Sequence, residues 1–263
     1  MTIAQTFAPD QGQRQPATPR RPRLDPLRAV RGLRRLIADK DDTGQVFEIM
    51  RALSGRSFAK GYARMLRTPE GGRQAYLRDE FADRLHDVAW LETLPSGSVG
   101  AVYRDFVGAR AISAYGLAEE SRKTPDVNMD AAHPMAWYVR RLRDVHDVWH
   151  VLTGYGTDTL GEACLVAFSF AQTRNAGFAF IAAGAAWQFE KPRVGQPYAK
   201  AIAQAWAHGR RAAWLPALDY EILLTEPLDA ARSKLGIRPP TIYDAVPAGA
   251  RDVRRSDGQS SLA

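Results

Sequence analysis

Apolar residues spaced three and four apart recur along most of this chain, and the strict alternation of a half-buried strand is scarce; that periodicity restricts it to packed helices. Leu24, Leu27, Val30, Leu33 and Ile37 mark a first amphipathic helix with arginines on its other face. Val46, Ile49, Met50 and Leu53 mark a second, stopped at Gly55. Thr68-Pro69-Glu70 is a helix start: a capping hydroxyl, a proline in the first turn, then an acid. Late in the chain, Gln196 to Leu215 and Leu218 to Leu235 read as two more helices parted by Pro216. The expected fold class is all-α.

At 263 residues the chain can bury a sizeable core without dividing. No internal repeat or linker splits it. We expect a Pro- and Gln-rich disordered tail over 1–22, a single helical domain over 23–246, and a second disordered tail over 247–263.

The net charge is +7, and seven arginines fall between Arg20 and Arg35 against one acid, Asp25. Nucleic acid, an anionic membrane surface or an acidic protein face could use such a stretch. No helix-turn-helix, zinc-finger or aromatic RNA platform accompanies the charge, which argues against nucleic acid. The single cysteine, Cys164, excludes an internal disulfide and a cysteine-based zinc site, and its apolar surroundings mark it as core. The first 20 residues lack the apolar segment of a secretory signal. The start is basic like a mitochondrial transit peptide, but rich in Pro and Gln rather than amphipathic. The most apolar window, Ala163 to Trp187, is interrupted by Gln172-Thr-Arg-Asn175 and reads as buried helix rather than a membrane span.

The chemically informative stretch runs from Arg141 to Gly154. Tyr138, Leu142, Val145, Trp149 and Leu152 form one helical stripe that can bury it, and Arg143, His146, Asp147 and His150 form a second. Two imidazoles four apart project from one helix face toward one point, as in zinc-protease helices. Asp147 can ligate beside them or orient an imidazole. The helix should stop at Gly154-Tyr-Gly156, and a new one starting at Thr157 to Thr159 would carry Glu162 back beside its end. Two imidazoles and one or two carboxylates suit Zn, Fe, Mn or Co. Glu162 has a rival role, because Thr159-Leu-Gly-Glu162 also spells a capping box. His86, His133 and His208 have no partner at ligand spacing.

His146-Asp147-x-x-His150 followed after eleven residues by Glu162 resembles the signature of the coenzyme Q biosynthesis protein four family. The text around it agrees, from Val145 to Gly154 and from Leu160 to Ala163. So do an early block, Asp42 to Gly55, and a late one, Asp219 to Leu224 with Pro227 to Arg232 and Leu235 to Ile237. The resemblance covers roughly residues 30–240. It implies an all-helical fold and a divalent metal, usually zinc, held by His146, Asp147, His150 and Glu162. It further implies a peripheral protein of the inner membrane, bacterial or on the mitochondrial matrix side, that holds polyprenylated quinone precursors and associates with other ubiquinone-pathway enzymes. A homodimer is compatible with it. The implied chemistry, decarboxylation with hydroxylation of a prenylated hydroxybenzoate, would make the protein a metal-dependent lyase. In that reading Arg141 and Arg143 could pair with the departing carboxylate, and the apolar run after Glu162 either lines an isoprenoid tunnel or is plain core.

Two other classes stay open on the residues. A scaffold would keep the metal structural and only bind lipid intermediates and organise partner enzymes. A hydrolase would use Asp147 as base, or draw further ligands from His133 and Asp158.

Overall fold

The computed structural model describes residues 24–39, 42, 44–109, 133–190 and 195–252, and these are helical with no strand among them. The only bridge between extended residues among them joins Ser98 to Pro227. The all-α expectation holds. The tail over 1–22 and most of that over 247–263 lie outside the described residues.

The helices run α1 Pro26–Ala38, α2 Gly44–Leu53, α3 Ser57–Met65, α4 Pro69–Leu77, α5 Phe81–His86, α6 Val88–Glu92 and α7 Val99–Gly108. They continue with α8 Pro134–Asp144, α9 His146–Thr153, α10 Thr159–Thr173, α11 Ala176–Glu190, α12 Tyr198–Arg211, α13 Tyr220–Thr225, α14 Leu228–Leu235 and α15 Thr241–Asp244. α10 is the axis. Leu160, Ala163, Cys164, Leu165 and Phe168 are all buried, and α11 and α12 pack on it. The apolar run after Glu162 is therefore core, and Cys164 is buried as expected, its thiol pushed well above the ordinary range by desolvation. No helix among the described residues is long and apolar enough to cross a membrane.

Three sequence expectations change in detail. In α1 the buried positions are Ala29 and Gly32, with Leu33 and Leu36 packed on the core beside them, while Leu27 is 75% exposed and Leu24, which precedes the helix, 61%. Small residues let α1 lie close against Ile49 of α2, and that contact turns much of the larger apolar stripe outward. The segment from Leu218 to Leu235 is two helices, because Pro227 has no N–H to continue the first. Residues 247–252, assigned above to the tail, carry structure: Ala248–Ala250 form a 3-10 turn and the Arg251 carbonyl accepts a hydrogen bond from the Leu160 amide.

Candidate metal centre

The helix expected across Arg141 to Gly154 breaks once, at Val145, immediately before His146. The backbone hydrogen bonds into and out of Val145 are kept, from its amide to Arg141 and from Trp149 to its carbonyl. α9 starts at the residue that follows. It ends at Gly154, whose φ of 79° is left-handed and suits glycine. Trp149 anchors the buried face, donating its indole N–H to the Tyr220 hydroxyl at 2.6 Å.

The other face carries the donors. One ligand atom from each of His146, Asp147 and His150 lies within 4.8 Å of the others. His150 is fully buried and stacks on Phe106 of α7, ring centroids 5.6 Å apart. Its Nδ1–H donates to the Tyr155 carbonyl at 2.9 Å, so its Nε2 is the atom left for a ligand. His146 Nδ1 lies 3.2 Å from Asp147 Oδ1, which likewise turns Nε2 outward. Each imidazole thus has its second nitrogen held by an oxygen, the arrangement that orients metal-binding histidines.

Glu162 stands beside both imidazoles, outside that group of three. Its carboxylate oxygens lie 3.3 Å from His150 Nε2 and 3.8 Å from His146 Nε2. A lone-pair nitrogen and a carboxylate have no hydrogen to share, so a cation or a proton between them would stabilise the arrangement. Two ligands on a tetrahedral ion with bonds of about 2.1 Å stand about 3.4 Å apart, close to these distances. The donor set therefore fits a divalent metal. Desolvation alone would hold His146 down. The Asp147 hydrogen bond and the charges of Glu162 and Asp147 outweigh it and place its pKa above the ordinary histidine value. For Glu162, desolvation is outweighed by His150 and His146, and its pKa falls below the ordinary value. A proton held this way competes with a metal for the same atoms.

The capping-box alternative for Glu162 is overturned. The cap of α10 is Asp158, whose Oδ1 accepts from the Gly161 amide at 2.9 Å, so Thr159 is already inside the helix. Asp158 also receives the Tyr243 hydroxyl, and Thr159 donates to Asp252 through both its amide and its hydroxyl. These bonds pin the start of α10 and leave Glu162 to the histidines. They also remove the extra hydrolase ligands, since Asp158 is a cap and His133 Nδ1 caps α8 by accepting from the Met135 amide.

The two arginines are engaged elsewhere. Arg141 is buried, donates to the Leu218 carbonyl at 2.6 Å, and is enclosed by the rings of Phe81, Trp137 and Tyr220. Arg143 grips the buried Asp144, its NH2 2.7 Å from Oδ1. Both have structural partners. Arg141→Ala is expected to cost about 3 kcal/mol, through the emptied cage and the unpaired carbonyl, with metal content unchanged. Urea denaturation beside metal analysis checks this; loss of metal with full stability would restore a site role. Sequence reasoning missed Phe106 and the Tyr155 carbonyl, because an apolar residue on α7 and a backbone oxygen carry no sequence signature of a site.

A family model described as coenzyme Q (ubiquinone) biosynthesis protein Coq4 matches residues 38–241. Among curated relatives, the rat mitochondrial ubiquinone biosynthesis protein COQ4 homolog is 30% identical over 67% of this chain and 64% of its own length. The human one is 30% identical over 68% of this chain and 65% of its own. The match thus spans slightly less than two thirds of these relatives. A crystal structure of a protein from Nostoc punctiforme described as a ubiquinone biosynthesis protein superimposes with a TM-score of 0.59 at 19% identity, over 82% of this chain and all of that one, a likeness of fold.

Proposed function

From the premise that this chain belongs to the Coq4 family of ubiquinone biosynthesis, we propose that it binds a polyprenylated benzoquinone precursor at a divalent-metal site. His146, His150 and Glu162 would hold the ion, with Asp147 as a fourth ligand or as the partner of His146. The carrying observation is the pair of imidazole Nε2 atoms turned to one carboxylate at 3.3 and 3.8 Å, each ring fixed from behind. A bound divalent cation, zinc or else iron, manganese or cobalt, would polarise a ring oxygen of the substrate and stabilise charge developing there.

The site has a closed and an open half. His150 and Asp147 are buried, whereas the side chains of Glu162 and His146 are 42% and 28% exposed. Substrate would therefore approach over Glu162 and His146, while Phe106 and the Tyr155 carbonyl hold the rear ligand still. This favours oxidative decarboxylation at the ring carbon bearing the carboxyl group over a closed structural site. The rival reading, a metal-stabilised scaffold that binds lipid intermediates and organises other pathway enzymes, draws support from three protein donors within 4.8 Å of one another with Glu162 beside both histidines, a supply sufficient to close a site. In either reading the outward apolar residues of α1, interleaved with exposed Arg31, Arg34 and Arg35, would rest on an anionic membrane.

The deciding experiment supplies a short-chain prenylated 4-hydroxybenzoate, oxygen and a two-electron reductant such as ascorbate, which takes the second oxygen atom to water, to the metal-loaded protein. Release of carbon dioxide with a hydroxylated ring, lost in Glu162→Ala, is the expected result. Saturable binding without turnover for every candidate metal would establish the scaffold instead.

A further inference from the structure

We propose that the groove between α3 and the C-terminal end of α10 binds a phosphate-ester anion, separately from the metal centre. The groove has a volume of 360 Å³, and Arg56, Lys60, Arg64 and Arg174 line it with no acidic residue in its wall. None of the four has an ion-pair partner among the described residues. Unpaired cations scattered over a surface are ordinary; four around one concavity without an acid repel one another, and an anion relieves that.

Local structure adds to the case. α3 opens into this groove with Arg56 at its cap position and no side chain capping its first turn. Arg56 and Lys60 therefore sit by the positive pole of the helix, where cations are disfavoured and anions favoured. Arg174, which ends α10, holds a left-handed φ of 58° that glycine or asparagine adopts more readily. Arg64 lies over the Trp214 ring, 4.3 Å from its centroid, on the groove wall. Arg174 is twelve residues beyond Glu162, about 18 Å along α10, so the groove and the metal centre are distinct.

The shared chemistry is a phosphate ester or diphosphate, from a phospholipid headgroup or in solution. Two probes separate the sources: inorganic pyrophosphate by calorimetry, and phosphatidylcholine vesicles with and without phosphatidylglycerol by co-sedimentation. Wild type is compared with Lys60→Ala and Arg174→Gly. The second variant relieves the left-handed backbone, so it removes charge without endangering the fold. Each variant should lose about fivefold in affinity for one of the two probes, and Lys200→Ala, exposed outside the groove, should lose none. A loss confined to phosphatidylglycerol vesicles assigns a headgroup, and a loss for pyrophosphate assigns a dissolved phosphate. Leu27→Glu, which disturbs only the outward face of α1, should weaken vesicle binding of every composition and leave pyrophosphate unchanged, so failure of the membrane reading and failure of the groove are read separately. Variants that bind both probes as wild type does would overturn the proposal.

Discussion

His150→Ala is expected to empty the metal centre. Mass spectrometry of wild-type protein purified without added metal should find about one equivalent of zinc, iron, manganese or cobalt per chain, and of the variant almost none. His150 is the donor whose loss cannot be compensated. It is fully buried, its Nδ1 is committed to the Tyr155 carbonyl and its face to Phe106, so no water enters easily to replace Nε2. Removing even an outer partner of a ligand costs roughly 10–100-fold in metal affinity, and removing the ligand itself costs more. The variant also leaves the Tyr155 carbonyl unpaired, so a fall in stability accompanies the loss. His146→Ala, altered on the open half, separates the two effects: it should lose metal while melting close to the apo wild type. Wild-type protein that takes up no ion after reconstitution with each candidate would remove the metal reading altogether.

Gly161→Ala should produce the second large effect, although residue 161 is no ligand. A Cβ there would lie 2.1 Å from the Gly156 oxygen, 2.7 Å from its carbonyl carbon and 2.9 Å from its nitrogen. These are backbone atoms and cannot rotate aside, so the turn between α9 and α10 must open. Overpacking of this kind costs about 1–3 kcal/mol. The displacement begins one residue before Glu162, so metal affinity should fall with stability. Gly72→Ala is the matched control: its nearest neighbour is the Leu66 oxygen at 3.9 Å, and in α4 the exchange should leave stability unchanged or raise it by up to about 1 kcal/mol. Denaturant melts and metal titrations of the two variants make the comparison. A Gly161→Ala protein as stable and as metal-avid as wild type would show that the turn does not position Glu162.

Much of the centre is legible from spacing because helical geometry is local. Four residues make roughly one turn whatever surrounds them, so His146 and His150 had to share a face, and Gly154 had to end the helix near them. Glu162 was not decidable in the same way. Thr159-Leu-Gly-Glu162 satisfies the capping-box spelling as well as the ligand spacing, and nothing local prefers one. Arg141 and Arg143 looked available for a substrate for the same reason: their partners, the Leu218 carbonyl with its aromatic cage and the carboxylate of Asp144, depend on how α8 is packed.

The chain's periodicity by itself therefore determined a helical fold, a pair of imidazoles on one helix face and a turn that brings Glu162 near them. Tertiary structure decided the rest through contacts distant in sequence. Tyr243 and Asp252, some ninety residues from the start of α10, hold Asp158 and Thr159 so that Asp158 caps the helix and Glu162 is released to the histidines. Likewise, amphipathicity showed that α1 has two faces, but which one is buried was settled by Ile49 of α2 closing on Gly32. Periodicity reports which side chains point together, whereas only the neighbouring surface determines whether that direction leads to solvent, core or metal.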